Sequence, residues 1–112
     1  ARDPLLGGMF ENMVVVELIK ALGNRGWRDS LCFYRDSAGH EVDVIIERQR
    51  IPSAIEIKAS ETFSSDFLRN GRLFNSIVSS ASRPQVIYGG EDSLTGSDYD
   101  AWGFAEAYEA ML

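Results

Sequence analysis

The sequence predicts a single α/β domain in which helices flank a mixed β-sheet. Two segments, 6–22 and 65–82, carry apolar residues at helical spacing, and four short strand-like segments lie between and after them. The elements therefore follow the order helix, strand, strand, strand, helix, strand. Because a helix joins the third strand to the fourth, those two strands should be parallel, and a mixed sheet results.

The first helix is expected over residues 6–22, before the stop signal Gly23-Asn24. Its apolar residues cluster on one side of a helical wheel: Phe10, Val14, Leu18, Ala21 and Leu22. Glu11 falls inside this apolar stripe, and Glu17 lies at its margin. A carboxylate within an apolar stripe is costly unless something pairs with it, so Glu11 needs a partner.

Three strands are expected over residues 31–35, 41–47 and 53–59, and the turn-forming residues between them make an antiparallel meander. The second helix, 65–82, then leads into a fourth strand over 84–88, which a Gly-Gly pair ends. The last ten residues form either a final helix or an end that is ordered by sequence outside the chain.

Alternation along the strands brings polar side chains together. In the second strand Val42, Val44 and Ile46 are expected on one face. The other face is expected to carry Glu41, Asp43, Ile45 and Glu47. In the third strand Glu56 and Lys58 share a face. If the two strands pair with Asp43 near Glu56, two carboxylates and one ammonium group converge, and Glu11 completes the patch from the first helix.

This set of residues has a chemical use. Mg²⁺ is held by one or two carboxylates together with waters and substrate phosphate oxygens. A bound divalent ion activates water and stabilises charge on a phosphate, and a neighbouring lysine orients the water or offsets the developing charge. The pattern therefore suits a divalent-metal centre that acts on a phosphate group, formed by Asp43, Glu56 and Lys58 with Glu11 beside it.

Less specific interpretations stand beside this one. A Glu-x-Lys pair on a strand is often a solvated face with a weak ion pair. Glu11 could pair with an arginine such as Arg35 or Arg72, and Glu17 could take its place, although a helix-margin carboxylate is the default for Glu17. Glu41 shares the face of Asp43 and could support it, but a solvent-facing edge position is the default.

The composition limits the kinds of partner that the chain can bind. The chain has 112 residues, of which 45% are hydrophobic, and a net charge of −6. Such an acidic chain does not coat nucleic acid through many phosphate contacts. A metal-dependent nuclease is still compatible with this charge, because its centre is acidic. No apolar run reaches the ~20 residues that span a bilayer, so no membrane association is expected.

The single cysteine, Cys32, excludes an intrachain disulfide and suits a reducing compartment, which favours a cytoplasmic location. Its strand is apolar, so Cys32 is expected to be a small buried hydrophobe. The only histidine, His40, follows a turn glycine and is expected at the surface. The chain begins without an initiator methionine and is interpreted as one domain, 1–112, cut from a longer protein.

Several segments together resemble a known group of proteins. The order Glu11, Asp43, Glu56-Ile57-Lys58 resembles the PD-(D/E)xK nuclease signature on the αβββαβ core of the restriction-endonuclease-like fold. The chain looks closer still to an uncharacterised nuclease-like domain at the C-terminal end of prokaryotic AAA-type ATPases. The segments that carry this likeness are 8–14, 17–18, 33–36, 41–43, 56–60, 63–68 and 86–90. The resemblance covers about residues 7–90, with a weaker echo at Trp102.

The resemblance implies roles for individual residues. Asp43 and Glu56 would be ligands of Mg²⁺ or Mn²⁺, with the Ile57 carbonyl as a further ligand. Lys58 would be the catalytic lysine, and Glu11 would support the metal or its water. The resemblance further implies that ATP binds only in an N-terminal ATPase module outside this chain, since the sequence contains no P-loop pattern. One departure is that Val replaces the proline that often precedes the signature aspartate.

We therefore expect a Mg²⁺-dependent nuclease domain, with nucleic acid as substrate, that follows an ATPase module. The alternative is a catalytically inactive interaction or oligomerisation module of such an ATPase, which the acidic surface favours. Arg69 and Arg72 on the second helix could meet a phosphate backbone, although a solvated face is their default interpretation.

Overall fold

The computed structural model describes residues 4–27, 31–35, 37, 39 and 41–111. The first helix, α1, spans Pro4–Asn24. The predicted apolar stripe is confirmed, because Val14, Leu18 and Leu22 are fully buried against the sheet. None of the helices in these ranges combines the length and the apolar character that a membrane crossing requires. His40, which was expected at the surface, lies outside the described residues.

Three strands follow: β1 over Leu31–Arg35, β2 over Glu41–Arg48 and β3 over Ile51–Lys58. They pair as the predicted antiparallel meander. The turn between β2 and β3 is shorter than predicted, because Gln49 and Arg50 both take positive φ angles, of 54° and 67°, and form a two-residue hairpin turn. Cys32 is exposed, so its predicted burial is wrong, because β1 lies at the edge of the sheet.

A β-bulge interrupts the pairing of β1 with β2. On one side of the bulge Cys32 pairs with Ile45, and on the other Tyr34 pairs with Val42. Two residues of β2, Asp43 and Val44, therefore lie opposite the single residue Phe33. Bulges of this kind redirect the side chains around them and are frequent beside functional sites.

The bulge breaks the alternation that the sequence predicts for β2. Val44 and Ile46 pack beneath α1, as expected. Val42, however, packs with Ile45 and Ala54 on the opposite face of the sheet. The prediction that Val42, Val44 and Ile46 share a face is therefore wrong. The extra residue of the bulge turns the side chains that precede Asp43 to the opposite face of the sheet.

The second helical segment begins as a 3-10 turn over Ser65–Leu68 and continues as α2 over Arg69–Ile77. The Ser64 hydroxyl accepts a hydrogen bond from the Asp66 N–H and caps its start. The prediction of a helix to residue 82 is wrong, because Val78 has an extended backbone that ends α2. Val78 and Ala81 still pack on the Val42 cluster, so burial rather than helix explains their apolar character.

Strand β4, Gln85–Tyr88, lies parallel to β3, which confirms the predicted crossover. Two further strands were not predicted: β5 over Leu94–Thr95 and β6 over Asp100–Gly103. The six-stranded mixed sheet has the order β1-β2-β3-β4-β6-β5. A 3-10 helical segment, Phe104–Met111, then packs beside α1, so the last residues of the chain include a helical element.

Helices cover both faces of the sheet. One core forms between α1, the final helical segment and the strands, and its largest buried members include Leu18, Ile46 and Ile55. On the other face Phe74 of α2 packs on β2 and β3, while Leu68 packs on β4 and β6. The predicted α/β class with a mixed sheet flanked by helices is confirmed.

Candidate functional site

Asp43 and Glu56 meet where the regular pairing of β2 with β3 stops. Pairing runs from Arg48 with Ile51 to Val44 with Ile55 and then ends. Beyond it the backbone N–H of Asp43 donates to Oε1 of Glu56 over 3.2 Å. The N–H of Ile57 donates to Oδ2 of Asp43 over 2.8 Å. The two carboxylates thus take up backbone donors in place of the strand ladder, and this fixes their positions.

Glu11 reaches this pair from α1. Its carboxyl group lies close to that of Asp43, and burial together with the Asp43 charge raises the pKa of Glu11 to about 7. The positive charge of Lys58 acts in the opposite direction. Glu11 therefore meets the other residues of the site and not an arginine. The two candidate arginines are paired elsewhere, Arg35 with Glu41 and Arg72 with Asp98.

Glu56 is the most deeply placed acid of the site, with only 3% of its surface exposed. Burial first, and then the charge of Asp43, raises the pKa of Glu56 to about 7. The Lys58 ammonium lies 3.8 Å from Oε2 of Glu56 and partly offsets this effect. Three carboxyl groups and one ammonium group therefore form a cluster with excess negative charge.

Two depressions meet at Glu11 and Asp43, which line both. The lysine-side depression has a volume of about 340 Å³ and is also lined by Ile57, Lys58 and Phe67. The aromatic-side depression has a volume of about 360 Å³, and its other lining residues include Asn12, Phe33, Tyr34, Arg35 and Glu41. The side chain of Lys58 is 41% exposed and is therefore accessible to solvent, whereas Glu56 lies beneath the surface.

The residues fit a divalent cation by their chemistry. Among the described residues, no three His, Cys, Asp or Glu side chains converge into a complete set of metal ligands. Mg²⁺ does not need such a set, because it keeps several waters and takes one or two carboxylates. Asp43 and Glu56 supply hard oxygen donors. Burial and the Asp43 charge raise the pKa of Glu56, and a bound cation would favour its ionised form.

The other charged residues considered in the sequence lie at the surface. Glu17 forms an exposed ion pair with Lys20 at 3.5 Å, and Glu41 is exposed, so both defaults are confirmed. The side chains of Arg69 and Arg72 form surface ion pairs, at 3.9 Å with Asp66 and 3.0 Å with Asp98. Ile57 lines the lysine-side depression, and a ligand role for its carbonyl stays a prediction.

Sequence reasoning missed Phe33 as a lining residue of the site. Its strand was predicted, but nothing in the sequence indicates the bulge that places Phe33 opposite Asp43. Ser60 forms a local turn, because its hydroxyl donates to the Thr62 carbonyl and accepts from the Thr62 N–H.

Comparison with known proteins gives one result. A family model described as "Domain of unknown function (DUF4143)" matches residues 6–106, which include every predicted site residue. No curated protein and no solved structure matches the chain. The description of the family assigns no chemistry, so the function has to be argued from the site.

Proposed function

The chain belongs to the family described as a domain of unknown function (DUF4143), and from that premise we propose that it is a Mg²⁺- or Mn²⁺-dependent nuclease domain. The observation that carries this proposal is the convergence of Glu11, Asp43, Glu56 and Lys58 from α1, β2 and β3. The reaction is hydrolysis of a phosphodiester bond in nucleic acid, and the domain acts as the C-terminal part of an AAA-type ATPase.

The topology supports the same proposal. A helix, three antiparallel strands, a helical segment and a parallel strand follow one another, as in the restriction-endonuclease-like fold that the sequence resembles. The candidate residues lie near the opening between β2 and β3, and this supports the resemblance to the PD-(D/E)xK signature. Strands β5 and β6 extend this core without touching the site.

Each residue has a role that its environment supports. Asp43 and Glu56 would hold the divalent ion, with the Ile57 carbonyl as a further ligand. When bound, that ion supplies Lewis acidity toward water and phosphate. Lys58 borders the lysine-side depression and donates to the attacking water or to a phosphate oxygen. Glu11, whose carboxyl group lies close to that of Asp43, would support the ion or take up the proton that the attacking water releases.

A specific observation favours the alternative of an inactive interaction module. The net charge is −6, and the arginine that borders the aromatic-side depression, Arg35, is already paired with Glu41. Lys58 likewise contacts Glu56. If these pairs persist in solution, the site is a structural ion-pair cluster, and the domain serves to couple the ATPase to a partner.

A cleavage assay distinguishes the two functions. End-labelled single-stranded DNA, RNA and branched DNA are incubated with the protein in Mg²⁺ or Mn²⁺. We expect metal-dependent cleavage that falls by at least about 100-fold in Lys58→Ala, from the usual contribution of a positioned catalytic group. Lys20→Ala is the matched control, because Lys20 is the only other lysine and lies on the exposed side of α1.

Two outcomes count against the nuclease. Wild-type protein that cleaves none of these substrates in either metal supports the interaction module. Cleavage that survives Lys58→Ala as fully as it survives Lys20→Ala indicates a contaminating enzyme or a different site.

A further inference from the structure

Phe33 has the largest exposed fraction, 70%, of the large apolar side chains in the described part of the chain. It lies on the edge strand β1, opposite the bulge formed by Asp43 and Val44. It belongs to none of the three apolar clusters, whereas its neighbour Tyr34 packs edge-on against Phe74. The Phe33 ring therefore contributes little to folding and is presented to solvent.

Single exposed apolar side chains are ordinary, so position is what distinguishes this one. Most of the other exposed apolar residues, such as Leu6, Met9 and Val16, lie along the outer side of α1. Phe33 instead borders the aromatic-side depression together with Glu11 and Asp43. An aromatic ring thus stands directly beside the predicted catalytic centre.

Polar groups around the ring suit a nucleotide. Asn12, which is exposed on α1, offers amide donors and acceptors to a base edge. Arg35 is 73% exposed and pairs with Glu41, which is itself 51% exposed. Exposed ion pairs of this kind have little net stability, so a phosphate can replace Glu41 as the partner of Arg35.

The two depressions also provide a path for a polymer. Glu11 and Asp43 line both depressions, so a phosphodiester bond at the carboxylates has space on either side. One of these spaces lies toward Lys58, and the other lies toward Phe33. Bases within a duplex have both faces covered by their neighbours, so only an unpaired base can stack on the ring.

We propose that Phe33 is a stacking platform for an unpaired nucleobase next to the scissile phosphate, and that the domain acts on single-stranded or locally unpaired nucleic acid. This inference rests on the proposed nuclease function, because the carboxylate centre defines where the phosphate lies. Stacking also suits the charge of the chain. A protein with a net charge of −6 gains little from phosphate attraction, whereas aromatic stacking does not depend on counterion release.

The test is a binding measurement that does not need catalysis. Fluorescence anisotropy follows a short labelled oligothymidylate, an abasic strand of the same length and a blunt duplex, with Ca²⁺ in place of Mg²⁺. The variants are Phe33→Ala, Phe33→Trp and the control Ile51→Ala, another exposed apolar residue, at the far end of the β2–β3 hairpin. Circular dichroism verifies that each variant folds.

We expect Phe33→Ala to weaken binding of the oligothymidylate by roughly tenfold, the usual contribution of one stacked base. Phe33→Trp retains the affinity, and Ile51→Ala does not change it. The abasic strand binds wild type and Phe33→Ala equally, and the duplex binds more weakly than the single strand. The loss in Phe33→Ala persists at raised salt, because stacking is not electrostatic.

Other results overturn the inference and separate it from the proposed function. The stacking platform is refuted if Phe33→Ala binds the oligothymidylate as tightly as Ile51→Ala does. It is also refuted if Phe33→Ala weakens binding of the abasic strand as much as binding of the oligothymidylate. If metal-dependent cleavage that requires Lys58 is still present, the nuclease function stands alone. Wild-type protein that neither binds the single strand nor cleaves any substrate refutes both proposals.

Discussion

The backbone N–H of Asp43 donates to Oε1 of Glu56 over 3.2 Å at the position where β2 and β3 cease to pair. A side chain therefore takes the place of a backbone acceptor in the ladder. The Glu56 carboxylate lies inside the fold, with one of its oxygens already engaged by this hydrogen bond. Several consequences for stability and for metal binding can be measured.

The first concerns the pH dependence of the metal-free protein. Burial and the Asp43 charge raise the pKa of Glu56 from 4.5 to about 7. Since the folded-state pKa lies above the unfolded one, Glu56 favours folding fully below about pH 4.5, and this contribution is lost as the pH rises through about 7. We expect the free energy of unfolding by urea to fall between about pH 5 and pH 8, by at most about 3 kcal/mol from this group.

Glu56→Gln should reduce this dependence on pH, because the amide is neutral at every pH and still accepts the Asp43 N–H. A smaller dependence of the free energy of unfolding on pH remains, because the pKa of Glu11 is also raised. Glu17→Gln is the control, since Glu17 is an exposed carboxylate paired with Lys20 on the same helix as Glu11. If Glu56→Gln shows the wild-type pH dependence, the buried carboxylate is not its source.

Lys58 is expected to stabilise the protein through Glu56. Its ammonium lies 3.8 Å from Oε2 of Glu56 and lowers the pKa of that carboxyl group. We expect Lys58→Met to lower the free energy of unfolding by about 1 kcal/mol at pH 8, because a buried carboxylate loses its nearest cation. The loss should be small near pH 5, where Glu56 is protonated. In a Glu56→Gln background, Lys58→Met should change the free energy of unfolding little. If Lys58→Met lowers it equally in wild type and in Glu56→Gln, Lys58 does not act through Glu56.

Gly89 follows β4 and packs against the chain just after β3. Its N–H donates to the Ser60 carbonyl over 2.9 Å, and a Cβ at this position would lie 2.5 Å from the Ala59 carbonyl oxygen. Gly89→Ala should therefore destabilise the fold by about 1–3 kcal/mol, because backbone must move. Gly8→Ala should instead stabilise it by about 0.5–1 kcal/mol, since Gly8 lies within α1 with open space around it. Thermal or urea unfolding measures both, and a neutral Gly89→Ala would show that β3 and β4 are less closely packed here.

Much of the fold follows from local patterns. Helical spacing identified α1, and alternation with turn residues identified the meander and β4. The end of α2 and the strand β6 did not follow. Val78 keeps helical spacing because it is buried, not because it is helical, and Asp100–Gly103 becomes a strand only by pairing with β4. Both depend on contacts between distant segments.

The site shows the same division. Asp43, Glu56 and Lys58 were predicted because alternation and strand pairing place them near one another. The raised pKa values were not accessible from the sequence, since they depend on how deeply Glu56 is buried and on its distance from Asp43. The position of Phe33 was also inaccessible, because it results from one extra residue in β2 that no sequence signal marks.

Isothermal titration calorimetry with Mg²⁺ and Mn²⁺ tests the central claim that these carboxylates form a divalent-metal site. Wild-type protein is compared with Asp43→Ala and with the control Asp98→Ala, which removes an exposed aspartate that pairs with Arg72 away from the site. We predict one binding site in wild type and in Asp98→Ala, and its loss in Asp43→Ala. The absence of binding at millimolar metal, or binding that Asp43→Ala leaves unchanged, would contradict the account.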